Sequence, residues 1–106
     1  MTQTTSSSAT SKLSYRVSHT LRLERAAFGA KVRAARAVLD LSQEEFAHRV
    51  GLTQKSVHRI EQGSVDAKLR TILTIEQFWS DSGIGFEDLP DGGFRLVVDG
   101  AMFSRS

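Results

Sequence analysis

The sequence predicts a mainly α-helical protein that ends in a short β-hairpin. Apolar residues recur at helical spacing on both sides of residue 40, and two stretches near the C-terminus have the alternation typical of strands. The chain has 106 residues, of which 40% are hydrophobic and 25% are charged. This size and composition are typical of one globular domain. We therefore expect a single fold with polar tails at its ends.

A polar N-terminal tail precedes the part of the chain that is predicted to fold. Residues 1–12 are polar and of low complexity, so we expect a disordered tail. Residues 13–83 carry the predicted helices, the first of them over about residues 26–40. Its apolar face consists of Phe28, Val32, Ala35 and Leu39. In the segment before it, Leu13, Tyr15 and Val17 alternate as in a strand, and its structure is left open.

Two short helices joined by a tight turn are predicted over residues 42–63. Ser42 and Glu45 have the spacing of a capping box, and Thr53 can cap the second helix. Gly51 lies in the turn, where a left-handed backbone is needed. The inward positions of the unit are small or apolar, and they are Phe46, Ala47, Val50, Leu52, Val57 and Ile60. The spacing therefore predicts a helix-turn-helix motif.

A further helix and a hairpin follow this motif. Asp66 is the expected N-cap of a helix that runs up to Gly83. Residues 84–99 are predicted to form the hairpin, because a Pro-Asp-Gly-Gly sequence separates two alternating apolar runs. A lone hairpin is marginal in water, so we expect its apolar side chains to pack on the helices or on a second copy of the chain. The hairpin is thus a candidate dimerisation element, and residues 100–106 are taken as a tail.

The motif resembles the Cro and phage-repressor type of helix-turn-helix protein, also known as the XRE family. The matching segments are Leu41–Ala47, Gly51–Thr53 and Ser56–Gly63, and the resemblance covers about residues 29–80. It implies a five-helix, repressor-like domain whose second motif helix enters the major groove of DNA. The chain departs from the family pattern at residues 66–67, where Asp-Ala replaces the common Asn-Pro, but Asp is an equally good cap.

The resemblance assigns roles to the polar residues of the motif. Base reading is assigned to Gln54, Lys55 and Arg59, since Gln can bond adenine and Lys or Arg can bond guanine in the major groove. Phosphate binding is assigned to Gln43, Thr53, Ser56 and His58. By the same resemblance, Arg36 and Glu61 are expected to form a structural ion pair between the first helix and the end of the second motif helix.

Charge is polarised along the chain although the net charge is only +2. Residues 12–36 contain seven basic residues and one acid, whereas residues 61–99 contain eight acids and three basic residues. Such a distribution is expected if one face of the protein meets phosphates and the other does not.

Other function classes are disfavoured by what the sequence lacks. It has no cysteine, which excludes disulfides, thiolate zinc sites and cysteine nucleophiles. His19, His48 and His58 have no accompanying carboxylate pair or nucleophile at a recognisable spacing. We therefore expect no enzymatic activity, no catalytic residues, no cofactor and no metal. We also expect no secretory signal and no membrane span, hence a cytoplasmic, nucleoid-associated protein of bacterial or phage type.

The sequence thus predicts sequence-specific binding to double-stranded DNA and transcriptional regulation. The expected form is a homodimer that represses from a palindromic operator. The alternative is an antitoxin or anti-activator-type module that uses the same fold to bind a protein partner through the C-terminal strand. Affinity for duplex DNA that falls steeply with salt would favour the first, because phosphate neutralisation releases counterions.

Overall fold

The computed structural model describes residues 2–104, with side chains described from residue 12 onward. Over this range the fold is mainly α-helical and ends in a two-stranded antiparallel hairpin. In chain order the elements are α1 (Thr2–Val38), α2 (Gln43–Val50), α3 (Gln54–Glu61), α4 (Leu69–Asp81), β1 (Ile84–Asp88), β2 (Phe94–Val98) and a 3₁₀ helix (Gly100–Ser104).

The expectation of five α-helices is wrong, because residues 2–104 contain four. After α4 the backbone turns through Gly83, whose φ of 88° ends the helix, and continues as β1. Aromatic and β-branched residues alternate in this region, and Pro90 and the glycines that follow it favour a turn. The hairpin therefore lies where it was predicted, within residues 84–99, and the segment 13–25 continues α1 instead of forming a separate helix.

Helix α1 is longer than the helix predicted over residues 26–40. It includes residues 13–25, so the alternation of Leu13, Tyr15 and Val17 does not produce a strand. No Gly or Pro precedes Gly29, and the helix continues without a break from the core to the N-terminal side. The tail predicted as disordered over residues 1–12 stays a prediction, because Met1 and the side chains of residues 2–11 lie outside the described residues.

The caps predicted for α2 and α3 are confirmed. The Ser42 hydroxyl accepts from the backbone N–H of Glu45 at 3.0 Å, and the Ser42 N–H donates to the Glu45 carboxylate at 3.0 Å. The latter bond holds the pKa of Glu45 below its ordinary value. The Thr53 hydroxyl accepts from the N–H of Ser56 at 3.1 Å. Gly51 ends α2 with a left-handed φ of 73°. A residue with a side chain would adopt this backbone conformation only at a cost in free energy.

The predicted cap of the next helix is wrong. Helix α4 begins at Leu69, and its N-cap is Lys68, which makes no side-chain capping bond. The Asp66 carboxylate instead accepts a hydrogen bond from Arg25 of α1 at 2.9 Å. An ion pair to a neighbouring helix therefore replaces the local cap.

The core forms where α1, α2, α3 and α4 meet the hairpin. Trp79 of α4 lies between two aromatic rings, with its centroid 5.8 Å from that of Phe28 and 4.9 Å from that of Phe86. Phe86 in turn contacts Phe94, so the hairpin packs on the helices as expected. The buried apolar residues are Val32, Ala35, Phe46, Ala47, Val50, Val57, Ile60, Ile75, Trp79 and Ile84.

Helix α1 approaches the C-terminal end of α3 closely at Gly29. A Cβ atom at this position would lie 2.5 Å from the carbonyl oxygen of Ile60 and 2.7 Å from that of Glu61. Both contacts are with backbone, which cannot rotate away as a side chain can. Glycine at position 29 therefore sets how closely the two helices pack.

We expect Gly29→Ala to destabilise the protein by about 1 to 3 kcal/mol. The clash with the α3 backbone exceeds the roughly 1 kcal/mol that alanine gains over glycine inside a helix. Urea denaturation followed by circular dichroism measures the difference. Gly85→Ala is the control, because a Cβ at Gly85 meets nothing within 4 Å. Equal stability of the Gly29→Ala variant and the parent would show that α1 does not approach α3 in this way.

Candidate nucleic-acid interface

One face of α3 is buried and the opposite face is open to solvent. Val57 and Ile60 pack into the core. The outer residues Gln54, Lys55, His58 and Arg59 are exposed. Among the side chains of residues 12–104, neither Lys55 nor Arg59 has a hydrogen-bond or ion-pair partner. The three residues assigned to base reading therefore lie on one accessible surface. Two of them are cations that no described side chain binds.

Gln43 is the centre of a polar network between α2 and α3. Its amide oxygen accepts from Gln54 at 2.7 Å, and its amide nitrogen donates to the Glu61 carboxylate at 3.0 Å. The same nitrogen lies 3.4 Å from Nδ1 of His58. Because both ends of the Gln43 amide are engaged, its orientation is fixed, and the first residue of α3 is held by the first residue of α2.

The other residues assigned to phosphate lie at the N-terminal turn of α3. Thr53 accepts the capping bond, and its hydroxyl also donates to the hydroxyl of Ser56 at 2.9 Å. Ser56 is partly buried, whereas Thr53 is exposed. The first turn of α3 contains no acidic residue. The positive end of the helix dipole is thus not neutralised by a carboxylate in its own first turn.

Three residues of α1 hold the C-terminal end of α3. The Arg36 guanidinium binds Glu61 through two hydrogen bonds, of 2.8 Å from Nε and 3.0 Å from a terminal nitrogen. Arg33 donates to the Glu61 carbonyl at 2.6 Å, and Gly29 provides the close approach. Glu61 is almost fully buried, with 3% of its side chain exposed, against 25% for Arg36. Hydrogen bonding to Glu61 raises the pKa of Arg36 above its ordinary value, although burial opposes this effect.

Several basic residues of α1 form ion pairs with acidic residues of the same chain. Besides the bond from Arg36 to Glu61, Arg25 pairs with Asp66 at 2.9 Å and Lys31 pairs with Asp88 at 2.7 Å. The Lys31 ammonium also lies 5.9 Å from the ring centroid of Phe86. Part of the charge polarisation therefore serves to join α1 to the second half of the chain.

Comparison with known proteins agrees with this geometry. Residues 27–76 match a family model described as a helix-turn-helix domain. These residues form a helix-turn-helix domain. The helix-turn-helix domain includes α2, α3, most of α4 and the C-terminal part of α1. No curated protein matches the chain.

Two functional contacts were missed by sequence reasoning. The hydrogen bond between Gln43 and Gln54 joins residues eleven positions apart, and sequence spacing says nothing about the crossing of α2 and α3. The bond from Arg33 to the end of α3 was also missed. Arg33 lies one helical turn before Arg36, and that spacing was a usable signal, because residues three apart share a helix face.

No helix in the described part of the chain has the length and apolarity needed to cross a membrane. No group of three or more His, Asp or Glu side chains that could hold a metal is found in the same part.

We expect Arg36→Ala to destabilise the helix-turn-helix domain by about 3 kcal/mol, because it leaves the buried Glu61 carboxylate without its cation. Thermal and urea denaturation measure this loss. Arg25→Ala is a matched control: its side chain is 26% exposed, but its partner Asp66 is 74% exposed. That pair should contribute less than about 1 kcal/mol. Equal losses in the two variants would contradict a special role for the pair between Arg36 and Glu61.

Proposed function

We propose that this protein binds double-stranded DNA sequence-specifically and regulates transcription, acting in the cytoplasm at the nucleoid as a homodimeric repressor on a palindromic operator. The observation that carries the proposal is the outer face of α3, where Lys55 and Arg59 are exposed without partners beside a positioned Gln54. Exposed, uncommitted hydrogen-bond donors on a helix that fits the major groove are what base recognition requires.

Gln54, Lys55 and Arg59 are the proposed base-reading residues. The bond from Gln54 to Gln43 uses one amide N–H and leaves the Gln54 amide oxygen and its second N–H for a base edge. An adenine presents a matching donor and acceptor in the major groove. Lys55 and Arg59 can donate to guanine, and Arg59 can do so through two parallel bonds.

Gln43, Thr53, Ser56 and His58 are the proposed phosphate-binding residues. Gln43 is the first residue of α2, Thr53 is the N-cap of α3, and Ser56 and His58 lie within α3. The Gln43 amide nitrogen has a second N–H beyond its bond to Glu61, and a phosphate would compete for it with Nδ1 of His58, 3.4 Å from that nitrogen. The acid-free first turn of α3 favours an anion at that end of the helix. Contacts of this kind fix the position of the protein without reading sequence.

The homodimer follows from the size of the proposed contact. One α3 helix presents three base-reading side chains, which can specify only a few base pairs. Two copies related by a two-fold axis would place two α3 helices in successive turns of the groove, with half-sites about 10 base pairs apart or a multiple of that.

Duplex DNA binding should depend steeply on salt. Between about 50 mM and 200 mM salt, we expect the observed association constant to fall about threefold for each phosphate that a basic side chain neutralises, because each neutralisation releases a counterion. Fluorescence anisotropy with a labelled random duplex measures this slope. Absence of binding even at the lowest salt would refute the proposed function.

Arg59→Ala should weaken binding to the preferred operator by about 1 to 3 kcal/mol and leave the fold intact. The operator is first obtained by selecting bound duplexes from a random pool. Arg70→Ala, which removes an exposed basic residue of α4, is the control and should change operator and random-duplex affinity equally. If Arg59→Ala also leaves the ratio of these two affinities unchanged, Arg59 does not read a base.

A further inference from the structure

Strand β2 has an outer edge whose backbone groups are not used by the hairpin. The N–H of Leu89 bonds the carbonyl of Gly93 at 2.8 Å, and the N–H of Asp99 bonds that of Gly83 at 2.7 Å. These bonds identify pairs 89/93 and 83/99 as hydrogen-bonded, and the observed register then makes 88/94, 86/96 and 84/98 non-hydrogen-bonded pairs. The backbone groups at positions 94, 96 and 98 therefore point away from β1.

No other described segment covers this edge. Among residues 2–104, no backbone hydrogen bond from another segment reaches positions 94, 96 or 98. Leu96 and Val97 are 36% and 42% exposed. Proteins that leave an edge strand free commonly protect it with several charges, a proline or a bulge. Strand β2 has one charge, Arg95, which lies within 3.4 Å of Glu87 across the hairpin.

We infer that β2 of one copy pairs antiparallel with β2 of a second copy, giving a continuous four-stranded sheet. The inference rests on the proposed homodimer and identifies its contact surface. A two-fold axis at Leu96 uses all the outward-pointing groups: Leu96 pairs with Leu96 of the second copy, and Phe94 pairs with Val98. Each of these pairs exchanges two hydrogen bonds. A sheet of four strands also removes the marginal stability of an isolated hairpin.

The side chains fit this register. Arg95 lies opposite Val97 of the second copy, so no like charges are directly opposed. Its two diagonal neighbours in the second copy are Asp99, an opposite charge, and Arg95, a like charge. The exposed apolar side chain of Leu96 meets its own copy across the axis. The edge is therefore complementary to itself in hydrogen bonding and apolar contact, as a two-fold interface requires.

Another apolar surface open to solvent, on α1, is less suited to self-pairing, and a third consists of Leu69 and Leu73 of α4, which are 70% and 55% exposed. Leu13, Val17 and Leu21 form a stripe on the N-terminal half of α1 and are exposed. Over this half of the helix the charged residues are basic except for one, Glu24. Two copies of this helix placed side by side would bring like charges together, which is unfavourable. The charges on α1 thus disfavour it as the contact between copies, and the Leu69→Lys variant described below tests the α4 surface.

Sedimentation velocity of the full chain tests the inference with two matched variants. Leu96→Lys places two like charges at the axis and should give a monomer at concentrations where the parent is a dimer. Leu69→Lys makes the same change at a residue of α4 that is 70% exposed, and it should remain a dimer. A monomeric parent, or a Leu96→Lys variant that dimerises as well as the parent, would overturn the inference.

A crosslinking experiment is independent of any loss of folding in the lysine variant. Because the chain has no cysteine, Leu96→Cys introduces a single thiol. Opposed Cα atoms about 5.5 Å apart allow a disulfide, so mild oxidation should give a covalent dimer. Val97→Cys, the neighbouring and more exposed position, should crosslink much less. Crosslinking of the Val97 variant without the Leu96 variant would refute the register.

The same samples separate this inference from the proposed function. Binding of Leu96→Lys and the parent to a random duplex is measured at low salt. A parent that binds DNA but never dimerises contradicts the β2 contact and the homodimer but leaves the proposed DNA binding standing, whereas a parent that dimerises through β2 but never binds DNA contradicts only the proposed DNA binding.

Discussion

The orientation of α3 depends on how its C-terminal end is held against α1. Gly29 allows the two backbones to approach closely, Arg33 binds the last carbonyl of α3, and Arg36 binds the buried carboxylate of Glu61. A buried carboxylate is costly unless it is paired and hydrogen-bonded, so the two helices have one favourable arrangement. The exposed face of α3 takes its direction from this contact.

The same carboxylate connects the support of α3 to its outer surface. Glu61 accepts from Gln43 as well as from Arg36, and Gln43 accepts from Gln54. A continuous chain of hydrogen bonds thus runs from α1 to the first residue of α3. Polar networks of this kind fix side-chain orientation when every member has a partner. No buried side-chain nitrogen or oxygen in the described part of the chain lacks one.

The polarised charge of the sequence has a second explanation in the structure. Arg25, Lys31 and Arg36 each pair with an acid from the second half of the chain. These pairs attach the long helix α1 to the α3–α4 loop, the hairpin and α3. Charge asymmetry along a chain can therefore reflect ion pairs within the fold as well as a surface for an anionic partner. The two explanations can be distinguished only when the ion pairs are known.

Local chemistry made the motif and the hairpin predictable. The capping box of Ser42, the cap at Thr53 and the turn at Gly51 follow from bonds between near neighbours, and the hairpin follows from its turn sequence and alternation. The alternation of Leu13, Tyr15 and Val17 obscured the length of α1, although no Gly or Pro interrupts that helix before Gly29. The pairing of Asp66 with Arg25 was decided otherwise, because it depends on which distant residues meet, as do the bond between Gln43 and Gln54 and the free edge of β2. The sequence by itself determined the elements that short-range hydrogen bonds and periodicity define. Packing between helices far apart in the chain decided which polar groups remain exposed, because only tertiary contacts select the partners of those groups.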